Sequence, residues 1–166
     1  MAREAHPRFG FEFDWLAVDR RGHVALMISD GYGPVPLAVL DHPDQVDDAV
    51  DALPDTLPAV RGAPAPDHAP SSDAVDDARV RGLFVYAWKI YNGPYERLAA
   101  PEVAVTIDAL PAELGSVARL GPLEVEFAHD DEIRFPYVDA HTLHTAGEAS
   151  SPEGDDRADG DVPRNG

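Results

Sequence analysis

The chain has 166 residues, 44% of them hydrophobic, and carries a formal net charge of −18 from 31 acidic and 13 basic groups. It contains no Cys, so disulfides, thiolate nucleophiles and Cys-based metal sites are excluded. The charge weighs against nucleic acid and anionic membrane surfaces, both of which require clustered Lys and Arg, and Lys89 is the sole lysine.

The first predicted element runs from Phe9 to Val18. Phe9, Phe11, Phe13 and Trp15 alternate with Gly10, Glu12 and Asp14, the period-2 pattern of a strand with one apolar face. Arg20-Arg21-Gly22 is turn-like, because Gly supplies a positive φ and Asp19 is placed to bond back to the turn backbone. His23 to Ile28 is the return strand. Ser29 to Pro36 is predicted to be a loop, since its two Gly and two Pro oppose both helix and ladder. A short turn around 37–40 precedes a helix from Pro43 to Leu53, with Pro43 and Pro54 at its boundaries. Asp44, Asp47, Asp48 and Asp51 fall on the outer side of that helix.

Residues 54–72 are rich in Pro and Ala and read as an extended loop within the domain. A second acidic helix is predicted over 72–80. Gly82 to Tyr91 is aromatic and β-branched, the composition of a central strand, and Asn92-Gly93-Pro94 turns the chain. Val103, Val105 and Ile107 alternate as a further strand. Pro111 to Leu120 is a short helix closed by Gly121-Pro122. Leu123, Val125 and Phe127 alternate as another strand, and Ile133 to Val138 is placed to pair back. These elements predict an α+β fold: a mostly antiparallel sheet of roughly five to seven strands, with one or two helices on one face or edge. The expected domain spans 1–144, and 145–166 is expected to be a disordered acidic tail.

The charge is concentrated. Residues 41–78 hold ten acidic groups and one basic group, and residues 145–166 hold six and two. The extreme net charge therefore reports one helix, one loop and one tail more than the whole surface.

Few residues carry a chemical signature. Asp19 and His23 flank the hairpin turn, and a His beside a carboxylate is a candidate general base; the plainer reading is a turn cap followed by a strand. Asp139, His141 and His144 have a spacing that suits a divalent metal on a helix, but a metal needs three or four ligands. Gly31-x-Gly33 has no following Lys-Ser/Thr, so a phosphate loop is not supported. The run from Asp155 fails as a calcium loop, with Arg157 at the third ligand position and Gly166 at the twelfth. The expected cofactors, metal ligands and catalytic residues are none. Tyr32, Tyr91 and Tyr95 lie beside Gly-Pro turns, a setting that suits a protein interface.

The segments DWLAVD at 14–19, GHVA at 22–25 and GYGPVP at 31–36, with Trp88 to Arg97, resemble a group of small bacterial proteins. Some of these are similar to immunity partners of secreted toxins. The resemblance spans about the first 40 residues and 84–127, and its motifs are structural, so no catalytic residue is implied. It implies a protein-binding role.

The resulting expectation is a non-enzymatic protein-binding domain of the cytoplasm, immunity- or antitoxin-like. It binds a basic protein, and neither nucleic acid nor membrane, through Tyr32, Asp44, Asp47, Asp48, Asp51, Tyr91 and Tyr95. The alternatives are a small hydrolase using His and Asp or a His-bound metal, and a structural domain. No apolar run approaches the roughly 20 residues that span a bilayer, and the first ten residues lack an apolar signal core.

Overall fold

The computed structural model describes residues 5–7, 13–60, 73–89 and 93–135. The chain forms an α+β fold around a five-stranded sheet. In chain order the strands are β1 (Ala5–Pro7), β2 (Asp14–Val18), β3 (Val24–Ile28), β4 (Pro34–Pro36), β5 (Phe84–Trp88), β6 (Tyr95–Ala99) and β7 (Glu132–Ile133). The helices are α1 (Leu37–Leu40), α2 (Pro43–Asp51), α3 (Leu53–Thr56), α4 (Asp73–Val80) and α5 (Ala112–Ala118), with a 3₁₀ turn at Ile107–Ala109. The main sheet has the order β2-β3-β5-β6-β7, and β1 pairs with β4 in a separate two-stranded ribbon.

The predicted hairpin is present. β2 and β3 pair antiparallel from Asp14↔Ile28 to Val18↔Val24. The turn closes through the Asp19 N–H donating to the His23 carbonyl at 3.0 Å and the Gly22 N–H donating to the Asp19 carbonyl at 3.1 Å. Gly22 has φ +81°, where a side chain would be strained.

β3 and β5 run parallel, with Leu26 opposite Val85 and Met27 opposite Tyr86. A parallel pair needs a crossover of about a dozen residues or more, and the long segment between Ile28 and Phe84, holding α1 to α4, supplies it. The other three pairings of the main sheet are antiparallel.

Both faces of the central strands are covered. Trp15, Met27 and Tyr86 share one register row, and the adjacent row holds Leu16, Leu26 and Val85; all six are buried. On the first side Phe127 packs its ring 5.7 Å from Phe84 and 5.4 Å from Tyr86. The helices attach at several strands: α2 and α5 pack against β2, and α4 against β5 and β6. Removing each such large side chain from water contributes about 1.5–3 kcal/mol.

Some local expectations are corrected. Val103, Val105 and Ile107 form no strand: Val103 is 62% exposed, and the segment instead links two glycines, the Val105 N–H donating to Gly82 O and the Ile107 N–H to Gly22 O. Leu123, Val125 and Phe127 form no regular strand either. They run along the outer edge of β2, with Leu123 N–H donating to Val18 O and Val125 O accepting from Arg20 N–H. The loop over 29–36 ends in β4, because Val35 pairs with His6 in a ribbon too short for its prolines to break. β6, absent from the sequence-based elements, pairs with β5 through an irregularity between Val85 and Tyr86.

The stretch read as a loop over 54–72 begins in α3, and Leu57 is buried. Arg81 anchors this region: its guanidinium donates twice to Asp77, at 2.9 Å each, and once to the Leu57 carbonyl. Residues 61–72 and the tail from 145 lie outside the described residues.

Candidate functional site

Helix α2 is built to show its acids. Pro43 occupies its first turn, where a missing N–H costs nothing. Val46 is the buried residue that fixes the helix orientation. Asp44, Asp47, Asp48 and Asp51 then recur at i, i+3, i+4 and i+7, one side of a 3.6-residue helix, and all four are exposed. No basic residue stands in the last turn. Among the described residues, no Lys or Arg pairs with Asp44, Asp48 or Asp51. Asp41 and Asp55, before and after the helix, are exposed as well.

The candidate tyrosines separate. Tyr32 is 41% exposed, at the tip of a turn in which Ser29 O accepts the N–H groups of Tyr32 and Gly33 at 3.1 and 2.7 Å. The turn reaches this shape through positive φ at Asp30 (51°) and Gly31 (78°). Tyr95 is fully buried and leaves the set of surface contacts. Its hydroxyl donates to Pro34 O at 2.9 Å and accepts from Trp15 Nε1 at 3.4 Å. Its ring lies edge-on to Trp15, Trp88 and Phe135. Position 95 follows a Gly-Pro turn, as the sequence suggested, but it is the first residue of a paired strand and faces the core. Tyr91, the third tyrosine, lies outside the described residues, as do Asp139, His141 and His144.

Burial pushes the Tyr95 hydroxyl well above the ordinary tyrosine range. Tyr86 is raised by the same desolvation, partly offset by the charge of Arg97. Tyr86 donates to the Asp130 carbonyl at 2.6 Å, and Arg97 donates to Phe127 O and to the Asp131 carboxylate. These groups hold the segment from Phe127 to Asp131 against β5 and β6. They belong to packing.

The Asp19–His23 pair resolves into structure. The Asp19 side chain has no exposed surface. Its Oδ1 accepts the N–H groups of Arg21 and His23, both at 2.9 Å, and its Oδ2 accepts the N–H of Phe127 at 2.8 Å. His23 Nδ1 lies 3.6 Å from Asp19 Oδ2, beyond hydrogen-bonding range, and has no hydrogen-bond partner. A carboxylate already committed to three backbone donors is poorly placed to orient a general base. The sequence revealed the local half of this arrangement, the turn cap. The bond to Phe127, 108 residues away, has no local signal.

Among the described residues, no group of three or more His, Asp or Glu side chains is arranged to hold a metal ion, and no helix is long and apolar enough to cross a membrane. No family model, curated protein or solved structure matches the chain.

Proposed function

We propose that the protein is a non-enzymatic binding domain that captures a basic protein partner through the outer face of α2, in the manner of an immunity or antitoxin protein. The observation that supports this reading is the alignment of Asp44, Asp47, Asp48 and Asp51 on one exposed side of the helix, with no cation in its last turn.

Toward its C-terminal end that alignment works against the helix. Like charges at i, i+4 destabilise a helix by about 0.2–0.5 kcal/mol per pair, and the stripe contains two such pairs, Asp44 with Asp48 and Asp47 with Asp51. Asp48 and Asp51 also sit near the negative end of the helix dipole, where a cation is favoured. A carboxylate face that opposes its own helix makes physical sense when a complementary surface meets it. Such a face steers encounter and suppresses wrong partners. Tyr32 adds an exposed aromatic group of the kind enriched in interface cores. The proposal places the protein in the cytoplasm.

The test uses the full chain. The partner is captured on it, purified, and titrated against the wild type and against D44N/D47N/D48N/D51N over a range of salt concentrations. The variant is expected to bind roughly tenfold or more weakly at low salt, with a shallower salt dependence. Equal affinity and equal salt slope would assign the aspartates to solubility alone.

A further inference from the structure

We draw no further inference here: the strongest candidate, the buried indole Nε1 of Trp88 at the end of β5, which lacks a hydrogen-bond partner beside the Gly33 turn and Gly93, carries nothing because nothing in the structure shows what acceptor would reach it.

Discussion

Asp19 and the aspartates of α2 carry the same functional group to opposite ends. Asp19 is sealed from solvent, and its two oxygens hold three backbone N–H groups from two distant parts of the chain. The α2 aspartates face water, and three of them have no cationic partner among the described residues. In the first region the carboxylate closes the fold; in the second it loads a helix with repulsion. A carboxylate is therefore read from its donors and its solvent, and a count of acidic residues does not reveal its role. The two regions make opposite demands on mutation, and that contrast is open to measurement.

The largest effect is expected at Asp19. Asp19→Ala leaves the buried N–H of Phe127 and the part-buried N–H groups of Arg21 and His23 without their acceptor; a fully buried orphan costs about 1–3 kcal/mol and the other two add to it. A loss of about 3 kcal/mol or more in urea unfolding is expected. Asp19→Asn keeps one carbonyl oxygen and should fall between the two. A loss under about 1 kcal/mol for the alanine variant would show that water replaces the carboxylate and that the latch is not structural.

The next effect lies where the same segment meets β2. A Cβ at Gly121 would stand 2.6 Å from the Leu16 carbonyl oxygen and 2.7 Å from Trp15 Cζ3. The first neighbour is backbone within a paired strand and cannot yield cheaply. Gly121→Ala is expected to cost about 1–3 kcal/mol, while Ser116→Ala, exposed on α5, should change stability by less than about 0.5 kcal/mol. If both were neutral, the edge of β2 would be looser than its hydrogen bonds to Gly121 and Leu123 imply.

A third effect separates buried from exposed chemistry by pH. Tyr86 and Tyr95 are held neutral in the folded state by burial. Their folded pKa values exceed the unfolded value of about 10, so the contribution to stability is complete below that pH. Above it the unfolded chain loses protons that the native chain keeps, and stability falls. Each tyrosine is expected to remove about 1.4 kcal/mol per pH unit there. Urea melts of the wild type and of Y86F/Y95F between neutral and alkaline pH read this directly. The double variant starts less stable by about 1 kcal/mol for each lost hydrogen bond, and its alkaline slope should be correspondingly flatter. An unchanged slope would mean that these hydroxyls ionise freely in the folded state.

The sequence disclosed the parts of the fold that local patterning controls. Phe13 and Trp15 alternate with Asp14 ahead of the apolar run Leu16 to Val18, Gly22 demands a turn, and Pro43 and Pro54 bracket a helix, so the hairpin and α2 were legible. Long-range hydrogen bonding decided the rest. Val103 alternates like a strand residue, yet its segment is spent bridging Gly22 and Gly82. Leu123 and Val125 alternate as well, but they follow an edge without building a ladder. β6 was hidden because Glu96 and Arg97 are polar: one pairs with Lys89 and the other reaches Phe127 and Asp131. Of the proposed surface, the acidic stripe was visible from its 3.6-residue spacing. The burial of Tyr95 was not, because a Gly-Pro turn is compatible with either direction of the side chain that follows it.

The smallest effect is the one that tests the far side of the contrast. If the α2 aspartates work against their helix, removing charge from its C-terminal end should help the fold. Asp48→Asn and Asp51→Asn each relieve one like-charge i, i+4 contact and one unfavourable dipole interaction. Together they are expected to raise stability by about 0.5–1 kcal/mol at low ionic strength. The gain should fade as salt screens exposed charges over about 10 Å at 0.1 M. Asp44→Asn should differ in sign, because Asp44 stands in the first turn, where a negative charge is favourable. Opposite signs at the two ends of one helix distinguish a dipole effect from a general reduction of net charge. If all three substitutions stabilised equally, the relevant variable would be the −18 of the whole chain, and the argument that the stripe itself is costly to the helix would fail.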